Sequence, residues 1–321
     1  MLKLKELLFL KNIKGFGKKT IYMRYFNDVQ SVDGIEPLKD IVRCKDKHIT
    51  DEELLRAEQK AEELVEQINR NKELEAITVF DKLYPKQLNV MKLDRPLVLY
   101  VKGNVEALKE QNIAVIGTRK PSEWSAIVED RLVKKIMELS ERVIISGLAL
   151  GCDKIAHETT VKEKRKTVAV LPSGVNVITP ASHKKLAKAI LETGGCLVSE
   201  YAPNDKAYKT TYVERDALVA ALSDIVLAIE CEESSGTMHT IRAANKYGTP
   251  VACYFKEGID RPEYSGNQYM VQNYNATKIM DTEDLEKLFK QPTQKICLDD
   301  EAKQLTIEDF LNGTMKNGLG N

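Results

Sequence analysis

The stretch IAVIGTRKPSEWS, residues 113–125, runs an apolar, strand-like segment from Ile113 to Ile116 straight into Gly117-Thr118-Arg119-Lys120 and then into a helix-like segment. A dinucleotide-binding fold carries its glycine-rich phosphate loop at this place. Here the loop has one glycine and two cations. It is built for an anion, and the rest of the chain has to say which one.

The pattern around the loop sets the fold class. From Ile77 onward short apolar runs alternate with helical stretches: ITVF (77–80), LVLYV (97–101), IAVIG (113–117), VIIS (143–146), TVAVL (167–171), CLVS (196–199), IVLAIE (225–230) and PVACYF (250–255). This predicts an α/β, Rossmann-like domain over residues 73–290, with a mostly parallel sheet, helices on both faces and ligands beyond the carboxyl ends of the strands. Residues 1–72 read as a small all-helical domain, broken at Gly15-Phe16-Gly17, around Asp33-Gly34 and at Pro37. Residues 291–321 read as a short tail with room for one helix. No internal repeat is found.

Composition excludes several function classes. The net charge is zero, so no global electrostatic case for a nucleic-acid partner exists. Locally, residues 1–26 hold seven basic residues against Glu6 alone, whereas residues 51–76 hold nine acids against four bases at the spacing of an amphipathic helix. No apolar run reaches the roughly 18–20 residues that span a bilayer, and the N-terminus lacks the pattern of a signal peptide, so a cytoplasmic location without a membrane partner is expected. The six cysteines form no C-x-x-C pair and the four histidines are dispersed, so neither a metal nor a disulfide framework is signalled. The cysteines read as small buried hydrophobes.

Four of the predicted strands end in small residues. After IAVI come Gly117, Thr118, Arg119 and Lys120; after VIIS come Gly147 and the run Leu148-Ala149-Leu150-Gly151-Cys152-Asp153, with Ser146 closing the strand itself. After TVAVL comes Pro172-Ser173-Gly174, and after IVLAIE comes Ser234-Ser235-Gly236-Thr237. Small residues let backbone N–H groups approach a ligand, and helix N-termini add unpaired donors, so an edge where such loops meet favours phosphate. Arg119 contributes a bidentate fork and Lys120 a point charge. A glycine after a strand is usually only a turn; their number is what counts here.

IAVIGTRKPSEWS, VIISGLALGCDKIAHETT, TVAVLPSGVNVITP, CLVSEYAP and SSGTMHTIRAANKYGTPV, in that order and spacing, resemble the DNA-processing protein A (DprA/Smf) family. YPKQLNVMKLDRPLVLYVKGN (84–104) and GNQYMVQNYNATKI (266–279) resemble its flanking segments, so the likeness runs over residues 77–290. It implies a Rossmann-like domain that binds single-stranded DNA without a cofactor or catalysis, pairs as a homodimer and hands the DNA to a RecA-type recombinase. On that resemblance Arg119 meets a phosphate; Ser146, Gly147 and Gly151 line the same pocket; Lys206 or Lys209 grips the strand; and Gly174, Arg215, Ser235, Gly236 and Thr237 complete the binding set. LKNIKGFGKKTIYMRYF resembles a helix-hairpin-helix, whose turn would offer Lys14, Lys18 and Lys19 to phosphate; the same lysines also fit a plain, solvated hairpin.

The chain departs from the family pattern at two points. Leu150 stands where A-R-G-I-D would put an arginine, and Arg215-Asp216-Ala217 stands for R-N-R, which exchanges a cation at Ala217 for none and adds a carboxylate. Both changes lower the positive charge at the pocket and keep a second reading open, a nucleotide-sensing relative without the DNA role. Hydrolysis fits less well. In the related Lonely-guy phosphoribohydrolases a glutamate follows the glycine loop, and Thr240 falls at its position here, leaving no carboxylate pair to share acid and base roles. His157 and His239 read as packed or solvent-facing, and Asp153 as the cap of the following helix.

Overall fold

The computed structural model describes residues 2–258 and 261–290. The predictions for the tail 291–321, including its short helix and the burial of Cys297, lie outside these residues.

Five helices come first: α1 (Leu4–Asn12), α2 (Lys18–Arg24), α3 (Phe26–Ser31), α4 (Ile35–Lys45) and α5 (Asp51–Arg70). The glycine turn at residues 15–17 separates α1 from α2 as the sequence predicts, and Thr50 with Glu53 closes a reciprocal cap on α5. Leu54, Ala57, Ala61 and Ile68 form the buried stripe of α5. Pro37 does not break the chain. It sits in the first turn of α4, where its missing N–H would have had no partner in any case.

The sheet follows: β1 (Leu74–Thr78), β2 (Val98–Gly103), β3 (Asn112–Ile116), β4 (Val143–Ser146), β5 (Thr167–Val170), β6 (Cys196–Ser199), β7 (Val226–Ala228), β8 (Val251–Tyr254) and β9 (Thr277–Ile279). Their order is β1-β2-β6-β5-β4-β3-β7-β8-β9. β3 to β9 pair in parallel, while β1 and β2 form an antiparallel edge against β6. Strand β9 escapes the sequence reading because only one of its three residues is buried.

The connecting helices are α6 (Glu123–Leu139), α7 (Cys152–Lys162), α8 (Lys184–Glu192), α9 (Lys209–Leu222), α10 (Thr237–Tyr247), α11 (Ser265–Asn273) and α12 (Thr282–Lys290). They cover both faces. Along β3, Ile113 and Val115 pack with Val133, Ile136 and Ala156 of α6 and α7, while Ala114 and Ile116 pack with Leu218 and Ile241 of α9 and α10. Strands buried on both sides read as continuous apolar runs, which is why the sequence displays them so plainly. Toward the antiparallel edge the face is covered by α1–α5 with α8, which share one hydrophobic cluster with Val98, Tyr100, Ala169 and Leu197 of the sheet. No described helix is long and apolar enough to cross a membrane.

The topology fixes where a ligand site can form. The chain runs outward from β3 through β4, β5 and β6, then returns to place β7 on the other side of β3. Loops leaving β3 and its neighbours therefore diverge and leave a crevice at their carboxyl ends.

Candidate phosphate-binding cleft

That crevice is a cleft of about 360 Å³ lined by Gly117, Thr118 and Arg119 after β3, Gly147, Ala149 and Asp153 after β4, and Ser235, Gly236, Thr237 and Thr240 at the start of α10. Arg215, Asp216 and Val219 of α9 close one side. Two arginines face two aspartates, so the lining has no formal excess of charge. Whatever draws an anion here must come from how those charges are used.

Each loop is fixed from behind. Thr118 N–H donates to the Glu230 carbonyl at 2.8 Å, Cys152 N–H donates to the Thr118 carbonyl at 3.1 Å, and the Thr237 hydroxyl donates to the Gly117 carbonyl at 2.9 Å. The segment after β4 is strapped by three side chains. Arg215 Nη1 donates to the carbonyls of Gly147 and, at 3.1 Å, of Val170; His183 Nδ1 meets the Leu148 carbonyl at 2.9 Å; and the Asp153 carboxylate accepts the Ala149 N–H at 3.1 Å. Asp153 therefore does not cap α7 as the sequence suggested. The cap position belongs to Gly151, at a φ of 75°, and the carboxylate reaches back into the loop instead.

The two arginines have different duties. Arg215 is buried, with Nε on the Asp216 carboxylate at 2.9 Å and Nη1 on the two carbonyls, so much of its donor capacity is already engaged inside the protein. Arg119 is exposed and, among the described residues, has no carboxylate partner; its guanidinium lies 5.6 Å from the ring centre of Tyr212 on α9. Burial raises the pKa of the Asp216 carboxyl from its ordinary value, while Arg215 opposes the shift.

The remaining predicted site residues divide clearly. Gly151 does not line the cleft, but its backbone lies against Thr118 and Arg119. Ser146 is buried, with its hydroxyl donated to the Val115 carbonyl at 2.7 Å. Gly174 lies off the cleft, packed against the backbone of Ala202 and Pro203, because β5 is two places from β3 in the sheet. Lys120 and Lys206 are exposed outside the lining. Lys209 is also exposed, and it begins α9 on the face that carries Tyr212 and Asp216 one and two turns later. In the N-terminal hairpin Lys18 pairs with Glu200 at 2.6 Å and Lys19 with Asp94 at 3.2 Å, whereas Lys14 is exposed without an ion pair among the described residues.

Histidine and cysteine supply no chemistry to the cleft. His157 is fully buried against the Thr167 hydroxyl at 2.8 Å, and burial lowers its pKa to about 3; His239 is exposed on α10. Cys152, Cys196, Cys231 and Cys253 are free and buried, but Cys44 is exposed, contrary to the reading from sequence. Among the described residues no cluster of three or more metal-ligating side chains occurs.

The family model of DNA recombination-mediator protein A matches residues 75–290, which holds the whole cleft and the sheet from β1 onward. The chain belongs to that family. Among curated recombination-mediator relatives it is similar to DNA processing protein DprA of Bacillus subtilis (30% identity, 67% of this chain and 71% of that one) and to protein Smf of Escherichia coli (35% identity, 53% and 45%). It spans about half the length of the E. coli protein. Among solved structures, DNA processing protein A of Streptococcus pneumoniae superposes with a TM-score of 0.73 at 25% identity, over 90% of this chain and 98% of that one. DNA processing protein A of Helicobacter pylori, described for its single-stranded DNA binding mode, superposes with a TM-score of 0.59 at 28% identity, over 67% and 96%.

The positions at which this chain departs from the family pattern now have a place. Leu150 projects from the loop at 48% exposure, so an arginine there would stand in water near the cleft mouth. Ala217 instead packs against the core beneath α9 and is absent from the lining. The substitution that changes the cleft itself is Asp216, which sequence reasoning weighed only as part of its triplet. Tyr212 was missed altogether. Its signal was its spacing, one turn before Arg215 on the helix that walls the cleft.

Proposed function

We propose that the cleft holds the phosphates of single-stranded DNA and that the chain acts as an accessory of homologous recombination. The observation that carries this reading is Arg119: an exposed cation with no carboxylate partner among the described residues, at a cleft of small residues and beside the aromatic ring of Tyr212. Phosphate needs the cation and the backbone N–H donors; a single strand also presents unstacked bases, for which an aromatic neighbour is the usual partner. Lys209 extends the same face of α9 away from the cleft. Transfer of the strand to a RecA-type recombinase and pairing as a homodimer are inferred from family membership.

Arg119→Ala should weaken binding of a labelled single-stranded oligonucleotide by about 1.5–3 kcal/mol, the range of a hydrogen bond to a charged group, with no change in thermal stability. Arg119→Lys should restore only part, since an ammonium keeps the charge and loses the fork. The salt dependence of affinity should fall by about one unit of slope in Arg119→Ala.

A free nucleotide is the second reading, favoured by Asp153 and Asp216 in the wall of the cleft. If Arg119→Ala spares oligonucleotide binding and abolishes binding of a mononucleotide, the DNA reading fails.

The cleft also carries a pH signature. As pH falls through the raised pKa of Asp216 the cleft loses a negative charge, so affinity for a polyanion should rise as pH is lowered. Asp216→Asn keeps an oxygen for Arg215 Nε and removes that charge permanently. It should tighten binding at neutral pH by about 1–2 kcal/mol, the worth of one charge some 8 Å away at an effective dielectric of ~20, and flatten the pH dependence. A His239→Gln background removes the imidazole that acts on Asp216 and isolates the carboxylate. Equal affinity of Asp216→Asn and the parent would show that bound phosphate lies far from α9.

A further inference from the structure

The single tryptophan of the chain, Trp124, stands in the first turn of α6, five residues beyond Arg119, and is 46% exposed. Its neighbour Ser125 turns inward and bonds to the Tyr264 hydroxyl, while Trp124 and, one turn later, Ile127 are left facing water. Tryptophan is enriched where a partner covers a protein surface.

Two observations say what covers this one. The first is its mounting. The Glu230 carbonyl accepts the Thr118 N–H, and the Glu230 carboxylate accepts the N–H and, at 2.6 Å, the hydroxyl of Ser122, whose oxygen in turn caps α6 by accepting the Ser125 N–H. The loop that carries Arg119 and the turn that carries Trp124 are thus pinned to one buried residue, and their Cα atoms are no more than about 18 Å apart along five residues. The second is its charge. Lys256, two residues past β8, places its ammonium 5.0 Å from the ring centre, and neither Lys256, Lys120 nor Arg119 has a carboxylate partner among the described residues. Glu123 and Glu257 adjoin Trp124 and Lys256 in sequence, which weakens this spot as a phosphate site. What it offers is an uncharged aromatic face, steadied by one cation and followed from the cleft by two others.

We infer that Trp124 is a stacking platform for a base of the strand whose phosphate Arg119 holds, an inference that rests on the DNA reading above. A strand leaving the cleft past Lys120 meets the ring with its bases unstacked, and every base has a π face, so the platform takes any sequence. Specificity for single strands follows, because a paired and stacked base cannot lie on the ring.

Because the chain has one tryptophan, its emission reports this site alone. The intact chain is titrated with a thymidine oligomer while the anisotropy of a dye on the oligomer is followed in parallel, and the titration is repeated with an abasic oligomer of equal length. The thymidine oligomer should quench the emission, and the abasic one should bind more weakly without quenching. Trp124→Ala should weaken thymidine-oligomer binding about five-fold or more and leave abasic binding unchanged, whereas Trp124→Phe should keep most of the affinity. Binding by anisotropy with no change of emission, or Trp124→Ala binding as tightly as the parent, removes the platform and leaves the DNA reading standing. Equal quenching by the abasic oligomer also removes it, since phosphate alone then suffices. If neither oligomer changes the anisotropy, the DNA reading and the platform fall together.

Discussion

Gly151→Ala is expected to destabilise the protein by about 3–5 kcal/mol and to abolish anion binding at the cleft, although residue 151 need not touch the anion. Gly151 has a φ of 75° and a ψ of −127°, a backbone region costly for any residue with a side chain, at about 1–3 kcal/mol. A Cβ there would also overlap the Thr118 carbonyl oxygen and lie 2.5 Å from the carbonyl carbon and 2.7 Å from the Cα of Arg119. These are backbone atoms of the loop proposed to hold the phosphate, so the clash cannot be relieved by turning a side chain; overpacking of this kind costs about 1–3 kcal/mol more. Either the loop moves and Arg119 with it, or α7 shifts. Gly236 supplies the control. It lines the same cleft with a φ of −59°, and a Cβ there meets nothing within 4 Å, so Gly236→Ala should change stability by no more than about 0.5 kcal/mol. Urea unfolding of the two variants, followed by oligonucleotide titration, checks the pair. Two glycines of one cleft that behaved alike would show that its backbone is slack.

The residues also explain how far the sequence could be read. Both faces of β3 to β8 are covered, so each strand is a nearly unbroken apolar run, and length and punctuation told these runs from helices. The same logic hid β9, where Thr277 is half-buried and Lys278 exposed, and moved the first strand: β1 starts at Leu74, so Val79 and Phe80 of ITVF lie beyond it. Pro37 misled because proline signals a break everywhere except in the first turn.

At the site, three of four converging loops were legible because each follows a parallel strand next to the point where the sheet reverses direction. Nothing in the run Pro172-Ser173-Gly174 distinguishes it from the others. Only the strand order, with β4 between β5 and β3, carries Gly174 away to fill the space beneath Ala202 and Pro203. Contacts between distant segments were likewise invisible: Lys18 and Glu200 are 182 residues apart, and Arg119 meets Tyr212 across 93. A lysine in a basic run reads as free until its carboxylate is seen.

Arg215 shows what such hidden contacts do, and its removal should produce as large a loss of stability as Gly151→Ala. The sequence presents it as a phosphate ligand. In the fold its guanidinium binds the carbonyls of Gly147 and Val170 and the carboxylate of Asp216, and a Cβ on Gly147 would run into it, so residue 147 has no side chain because Arg215 occupies that space. Arg215→Ala leaves two buried carbonyls and a largely buried carboxylate without their donor, at an expected cost of about 3–5 kcal/mol. Arg215→Lys should recover little, because one ammonium cannot reach two carbonyls and the carboxylate in the geometry of a planar fork. The role is separable from direct contact with DNA. A cation that only straps the loop lowers the unfolding midpoint and weakens binding, yet leaves the salt slope of the remaining affinity as it was, whereas a cation on phosphate takes about one unit of slope with it and spares the fold. The expected result for Arg215→Ala is a lowered midpoint with an unchanged slope, the reverse of Arg119→Ala. If Arg215→Ala instead kept its midpoint and lost the slope, Arg215 would be a phosphate ligand and the segment after β4 would have to be held by His183 and Asp153 alone.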